Sequence, residues 1–240
     1  MCIRDSIQKI IKQTWQWVCH VEKTRQPGSY ISVEIAGQPI AVVRDKNGEL
    51  RAFYNVCKHR AHRLLEGEGK TSLIVCPYHA WAYQLDGKLQ GAPHTQNLKQ
   101  FNKDEICLDQ IQVEEFCGFV FVNLDPNAQS LASQSGDLKR EVLHWAPDVE
   151  KLTFGHRLSY DIKSNWKNVV DNFLECYHCP VAHKDFCDLV DMSSYHAQSG
   201  YSDPRGQRVS FFRPVVDHFF SCSSSGGAGI RGEPAWRLDA

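Results

Sequence analysis

No stretch of this 240-residue chain is long and apolar enough to span a bilayer. The longest apolar run, Cys117-Gly118-Phe119-Val120-Phe121-Val122, falls far short of the roughly 20 residues a spanning helix needs and suits a buried strand. Charge of one sign is also missing: 27 Lys and Arg stand against 28 Asp and Glu, with no basic run, which excludes a nucleic-acid or anionic-membrane partner. Met1 to His20 lacks the continuous apolar core of a secretory signal, so the ten cysteines are read as reduced thiols or metal ligands in a cytoplasmic protein. There is no internal repeat. What remains is ordinary soluble composition, 42% hydrophobic and 23% charged, in a length that suits two modest domains.

Ile7, Ile10, Ile11 and Trp15 recur at helical spacing and predict a short amphipathic helix, after which the pattern switches to strands near Trp17. Tyr30 to Ile35 alternates, Pro39 to Arg44 is rich in β-branched residues, and Asp45-Lys46-Asn47-Gly48 turns the chain into Leu50 to Asn55. Asn-Gly marks a hairpin because both residues tolerate positive φ; Asp86-Gly87 marks a second. Ile106 to Val113 and Cys117 to Asn123 complete a small antiparallel β domain that ends at Asp125-Pro126-Asn127. Ser130 to Ser135 is a loose connection, Leu138 to Trp145 a helix stopped by Pro147, and His156 to Ile162 a strand. Ser164 is expected to cap a helix with an apolar face of Trp166, Val169, Val170, Phe173, Leu174 and Tyr177. Asp171, Glu175 and His178 line one side of that helix, and Val209 to Val216 is one more strand.

Each of two loops that follow strands pairs a thiolate with an imidazole: Cys57-Lys58-His59, then, after sixteen residues, Cys76-Pro77-Tyr78-His79. Such alternation points to a metal centre. A structural zinc site is the plain alternative, although zinc fingers usually pair cysteine with cysteine and histidine with histidine. The order resembles the ligand signature of Rieske [2Fe-2S] proteins, in which the two cysteines hold one iron and the two histidines the other. Neutral imidazoles in place of thiolates leave less negative charge to oppose an added electron, which raises the potential to about −150 to +300 mV. The resemblance runs from Trp15 to Asn123 and is most specific at Cys57-Lys58-His59-Arg60 and Cys76-Pro77-Tyr78-His79-Ala80-Trp81-Ala82-Tyr83. Ala61 and Ala80 stand where many relatives carry glycine, so those loops must accept a methyl group there, which is possible if neither residue needs positive φ. The remaining cysteines, Cys2, Cys19, Cys107, Cys117, Cys176, Cys179, Cys187 and Cys222, read as packing residues or free thiols.

His178 and His183 would diverge on an unbroken helix, but Pro180 between them is expected to break it and let the rings converge. Two histidines and a carboxylate around open positions make a non-haem Fe(II) site, although an isolated His pair is more often surface or core decoration. The stretch Asn165 to His183 closely resembles the iron-binding helix of Rieske non-haem iron oxygenases. That resemblance implies His178 and His183 as iron ligands. It implies Glu175 as the bridging carboxylate, bonded to His178 in its own subunit and to the residue equivalent to His79 in a neighbour of a homotrimer. Otherwise Glu175 is a solvated helix charge. Asp171 is either a residue that orients a ligand histidine or a surface acid. The third iron ligand, an aspartate, is expected beyond this sequence, and Asp191, Asp203 and Asp217 are not assigned the role.

The implied fold class is α+β, a small antiparallel β Rieske domain followed by an incomplete α+β catalytic domain of helix-grip type. The expected division is a lead-in over 1–14, the Rieske domain over 15–125, a connection over 126–150, a partial catalytic domain over 151–220 and an irregular tail over 221–240. Met1 to Ser6 and the segment from Ser221 are read as foreign to the parent protein. Glu at the bridging position and the segments Glu175-Cys176-Tyr177-His178-Cys179 and Ala80-Trp81-Ala82-Tyr83 look most like the branch acting on carnitine, choline or glycine betaine. The implied activity is O2-dependent hydroxylation next to the cationic nitrogen, with C–N cleavage when a carbinolamine results. Electrons come from NAD(P)H through a separate flavin and iron–sulfur reductase. The rivals are an aromatic-ring hydroxylating oxygenase, which would share every ligand, and a Rieske electron carrier, which would leave Glu175, His178 and His183 without a purpose.

Overall fold

The computed structural model describes residues 3–155, 159–174, 178–189, 196–202 and 208–213. The chain divides into two units, one running through Phe154 and the other starting at Gly155. Among the described residues no helix is long and apolar enough to cross a membrane.

The first unit opens with one helical turn, α1 (Ile3–Ser6), which widens into a π-helical turn over Ile7–Ile11. The expected amphipathic helix is therefore present only as two short, differently wound turns, with the Lys12 amide reaching back to the Ile7 carbonyl at 3.1 Å. Ten strands follow: β1 (Gln16–His20), β2 (Ser29–Ile35), β3 (Gln38–Arg44), β4 (Leu50–Tyr54), β5 (Glu68–Lys70), β6 (Ile74–Val75), β7 (Ala82–Tyr83), β8 (Leu89–Gly91), β9 (Gln110–Phe116) and β10 (Phe119–Asn123). Seven form one antiparallel sheet in the order β1-β10-β9-β4-β3-β2-β5, and β6-β7-β8 form a second, three-stranded sheet.

The β-branched run in β3 follows from its place inside the seven-stranded sheet of the first unit. Ile40 and Val42 enter one core with Val18, Ala52, Val120 and Val122, while Ala41 and Val43 enter the other with Phe53, Leu64, Ile74 and Tyr83. Alternate side chains take opposite faces, so a strand covered on both sides reads as continuously apolar. Each fully buried Val, Ile or Phe contributes roughly 1.5–3 kcal/mol. The second core also contains Cys57 and Cys76, which ties the ligand loops to the best-packed part of the unit. A third cluster seats α3 (Leu138–Trp145), which follows the single turn α2 (Leu131–Gln134), against Phe116, Cys117 and Phe119.

Both hairpin turns are present, but of Asn47 and Gly48 only Gly48 takes positive φ. Gly87 has φ +92°, and a Cβ there would lie 2.6 Å from the Phe53 ring, so this turn admits only glycine. Asp45 closes the first turn from the inside: Oδ1 accepts from the Asn47 and Glu49 amides at 2.8 and 2.9 Å, and Oδ2 accepts from Arg51 at 3.3 Å. Burial opposes its charge, but the Glu49 amide, Arg51 and the Asn47 amide outweigh that and hold the carboxyl below its ordinary value. A lowered folded pKa gives stability that is present above the unfolded value of about 3.9 and lost as pH falls through the folded value. Asp45→Asn is therefore expected to cost about 1–2 kcal/mol at pH 7 and to converge with the native protein in acid. Denaturation midpoints at neutral pH and near pH 3 test this; an unchanged difference between the two proteins would refute it.

The second unit departs from the sequence pattern in three places. Residues 159–162 form no strand, because among the described residues none pairs with them; His156, Arg157 and Leu158 lie outside the described residues. Helix α4 (Trp166–Leu174) is capped by Asn165, whose Oδ1 accepts from the Lys167 amide at 3.1 Å, and not by Ser164. Its apolar residues Trp166, Val169, Val170 and Phe173 are exposed, Phe173 at 84%. Two short helices, α5 (Cys179–Ala182) and α6 (Lys184–Leu189), and an antiparallel pair, β11 (His196–Ser202) with β12 (Arg208–Arg213), follow. β11 was not foreseen, and residues 214–216 of the expected last strand lie outside the described residues.

Candidate metal centres

Two six-residue loops carry the Cys/His pairs. Val56 bridges Arg63 at the base of the first, and Val75 pairs with Ala82 at the base of the second. Their backbones share one pattern. The Cys57 carbonyl accepts from the Ala61 amide at 2.9 Å and the Cys57 amide donates to the His62 carbonyl at 2.8 Å; the Cys76 carbonyl accepts from Ala80 at 3.0 Å and the Cys76 amide donates to Trp81 at 2.8 Å. Both cysteines are buried, at 3% and 2% exposure, while His59 and His79 are exposed with ring centroids 4.7 Å apart.

The condition stated for the alanines is not met. Ala61 and Ala80 sit at φ 53° and 55°, the left-handed conformation that the two tight carbonyl-to-amide turns impose. That conformation costs an L-residue roughly 1–2 kcal/mol, against about 0.4–1 kcal/mol for the added freedom of glycine in the unfolded chain. Ala61→Gly and Ala80→Gly are thus each expected to stabilise the protein by about 0.5 kcal/mol. A lowered denaturation midpoint in either variant would contradict this.

Three side chains support the loops. Tyr83 on β7 places its hydroxyl within hydrogen-bond distance of Cys57 Sγ, at 3.2 Å, and the Lys58 amide donates to the same oxygen at 3.0 Å. Burial, and then the bond with Cys57, hold the Tyr83 hydroxyl well above its ordinary range, so it remains a donor. Lys58 Nζ bonds both Asp109 oxygens at 2.6 and 2.7 Å, a partly exposed pair contributing about 0.2–1 kcal/mol. Asn55, fully buried, donates to the Leu65 carbonyl at 2.7 Å and to Ser32 at 2.9 Å and accepts from the Leu65 amide at 2.9 Å, clamping both ends of the first loop. Sequence patterning missed Asn55 and Tyr83; the one available signal was a polar residue ending an apolar strand.

Partial desolvation, and then the neighbouring His59 and Arg60, hold the His79 imidazole below its ordinary value, favouring the neutral form that offers a lone pair. Among the described residues, no three His, Cys, Asp or Glu side chains gather where one ion could sit. The four donors divide instead into a buried sulfur pair and an exposed nitrogen pair. This division, with a hydroxyl bonded to one sulfur, suits two sulfide-bridged irons better than one tetrahedral zinc. Beside the loops lies an open groove of about 570 Å³ lined by Lys58, Trp81 and residues 105–110.

In the second unit, His178 caps α5 and His183 ends it, with ring centroids 5.2 Å apart. The rings converge, and Pro180 lies in the first turn of α5 where its missing amide costs nothing; residues 175–177, between α4 and α5, lie outside the described residues. His183 itself leaves helical geometry, at φ −128° and ψ 61°. Asp171 is exposed on α4. Glu175 lies outside the described residues, as do Asp191, Asp203 and Asp217.

Residues 14–102 match the Rieske [2Fe-2S] domain family, and residues 149–223 match the ring hydroxylating alpha subunit catalytic domain. The carnitine monooxygenase oxygenase subunit of Escherichia coli K12 is 42% identical over 213 residues, 85% of this chain and 57% of the relative. Choline monooxygenase of Beta vulgaris is 34% identical over 197 residues, 80% of this chain and 44% of the relative. Among solved structures, a quaternary ammonium Rieske monooxygenase in complex with L-carnitine superposes with a TM-score of 0.78 at 36% identity, covering 83% of this chain and 57% of that one. The chain thus spans between 44% and 57% of the length of these relatives.

Proposed function

Given that this chain belongs to the Rieske non-haem iron oxygenases and carries their [2Fe-2S] domain with part of their catalytic domain, we propose that it serves the oxygenase component of a quaternary-ammonium monooxygenase. The reaction in this reading is O2- and NAD(P)H-dependent hydroxylation beside the cationic nitrogen of a carnitine- or choline-like compound, with C–N cleavage when the product is a carbinolamine. The observation that carries the reading is the 42% identity to a carnitine monooxygenase oxygenase subunit across 85% of the chain, spanning both metal centres. When bound, the [2Fe-2S] cluster supplies one-electron transfer and Fe(II) supplies O2 activation.

In this proposal Cys57 and Cys76 hold one cluster iron from within the core, while His59 and His79 hold the other at the surface. Tyr83 stabilises the sulfur charge through its hydroxyl. His178 and His183 hold Fe(II), with an aspartate outside this sequence as the third ligand. Glu175 joins His178 to the neighbouring subunit's counterpart of His79 in a homotrimer, and Asp171 orients a ligand histidine. The domain division proposed from sequence, with the Rieske domain over 15–125 and the catalytic part over 151–220, is retained. A flavin and iron–sulfur reductase is the electron donor. The setting in this reading is the cytoplasm; burial pushes the Cys19 thiol up to about 12, which disfavours the reactive thiolate.

Oxygenase assembled from full-length subunits bearing this sequence, supplied with NADH and reductase, is expected to consume NADH in step with carnitine, choline or betaine and not with an aromatic acid. The reverse order would assign the aromatic-ring reading. His178→Ala and His183→Ala are each expected to lose the mononuclear iron while keeping equal iron and sulfide in the cluster; full iron retention would refute their assignment.

A further inference from the structure

His62 and Trp81 occupy equivalent places in the two loops, each the fifth residue after the cysteine and each lending its carbonyl to that cysteine's amide. From these places both side chains cross to the opposite loop. Trp81 lies flat on His59, with ring centroids 4.8 Å apart and planes within 7°. His62 only tilts against Tyr78, at 5.7 Å and 42°, and Tyr78 leans on His79 at 4.0 Å and 37°. The backbone equivalence is therefore broken at the rings: one histidine meets a parallel indole, the other a tilted phenol that is itself 57% exposed.

We propose that Trp81 is a positioning residue that fixes the plane of the His59 imidazole and so makes the two histidines unequal. This rests on the ligand assignment above. An imidazole held through one nitrogen keeps one soft torsion about that bond, and a parallel ring in contact blocks it, because rotation drives the imidazole edge into the indole face. Trp81 cannot yield. Its carbonyl is tied to Cys76, Phe101 packs edge-on against it at 5.7 Å, and it rests against the core that holds both cysteines. His59 is thus oriented before any partner docks, while His79 has an exposed neighbour at the surface.

The test compares Trp81→Phe and Trp81→Leu with the native chain, reading iron and sulfide content and the nitrogen couplings of the two imidazoles by pulsed EPR of the reduced protein. Leucine keeps apolar volume but offers no flat face. It is expected to shift or broaden the couplings of one imidazole and leave the other unchanged; phenylalanine is expected to show a smaller change, with cluster content native in both. Unchanged couplings in the leucine variant, equal shifts in both imidazoles, or a phenylalanine change as large as that of leucine would overturn the proposal. If only the leucine variant fails to load its cluster, the flat ring is confirmed as the requirement. If both fail, Trp81 is a packing residue and the proposal falls. A native chain without a Rieske signal would overturn the ligand assignment and this inference together.

Discussion

His79→Ala is expected to abolish the low-g-average EPR signal of the reduced protein completely, whereas His62→Ala leaves it intact. Both side chains are exposed, so neither truncation removes core packing, and a surface change of this kind usually moves stability by no more than about 0.5 kcal/mol. Loss of the signal without loss of folding therefore isolates ligation from structure. The His62 control is stringent because this ring sits on the neighbouring loop and touches Tyr78, which leans on His79. An unchanged signal in His79→Ala would refute the ligand set, and with it the division into a sulfur-bound and a nitrogen-bound iron.

Asn55→Ala is expected to be the most destabilising single change near the site, at about 3–5 kcal/mol. The side chain is fully buried and satisfies both the amide and the carbonyl of Leu65, itself buried, besides bonding Ser32. Alanine supplies neither group, and each orphaned buried partner costs about 1–3 kcal/mol. Set against a typical total of about 5–15 kcal/mol, such a loss brings the unit near its unfolding threshold. Denaturant midpoints measure it; a cost below about 1 kcal/mol would show that water replaces Asn55 and that it is no clamp. Cluster content should fall in parallel, because the loop released at Leu65 is the one that carries Cys57 and His59.

The ease of reading these features varied with their range along the chain. The strands and hairpins were legible because alternation, Asn47-Gly48 and Asp86-Gly87 act within a few residues. So was the candidacy of both Cys/His pairs, whose donors lie two or three residues apart on tight loops. The failures are also physical. Alternation over 156–162 carries no information about whether a partner strand lies beside it, and the choice between Ser164 and Asn165 as cap turns on where the first helical amide falls. The positive φ of Ala61 and Ala80 is not legible in the alanines themselves, because glycine, the residue that best tolerates it, is absent and the backbone turn dictates the conformation.

Local chemistry in the chain thus established a mostly antiparallel first unit, the positions of its turns and two short segments rich in metal donors. Long-range packing added the rest: which loop faces which, the indole of Trp81 on His59, the hydroxyl of Tyr83 on Cys57 and the grip of Asn55 on Leu65. These contacts join residues ten to twenty-six positions apart and exist because β3 and β4 stand mid-sheet with a second sheet over one face. Periodicity encodes which face a side chain takes; the order of the strands decides what it meets there.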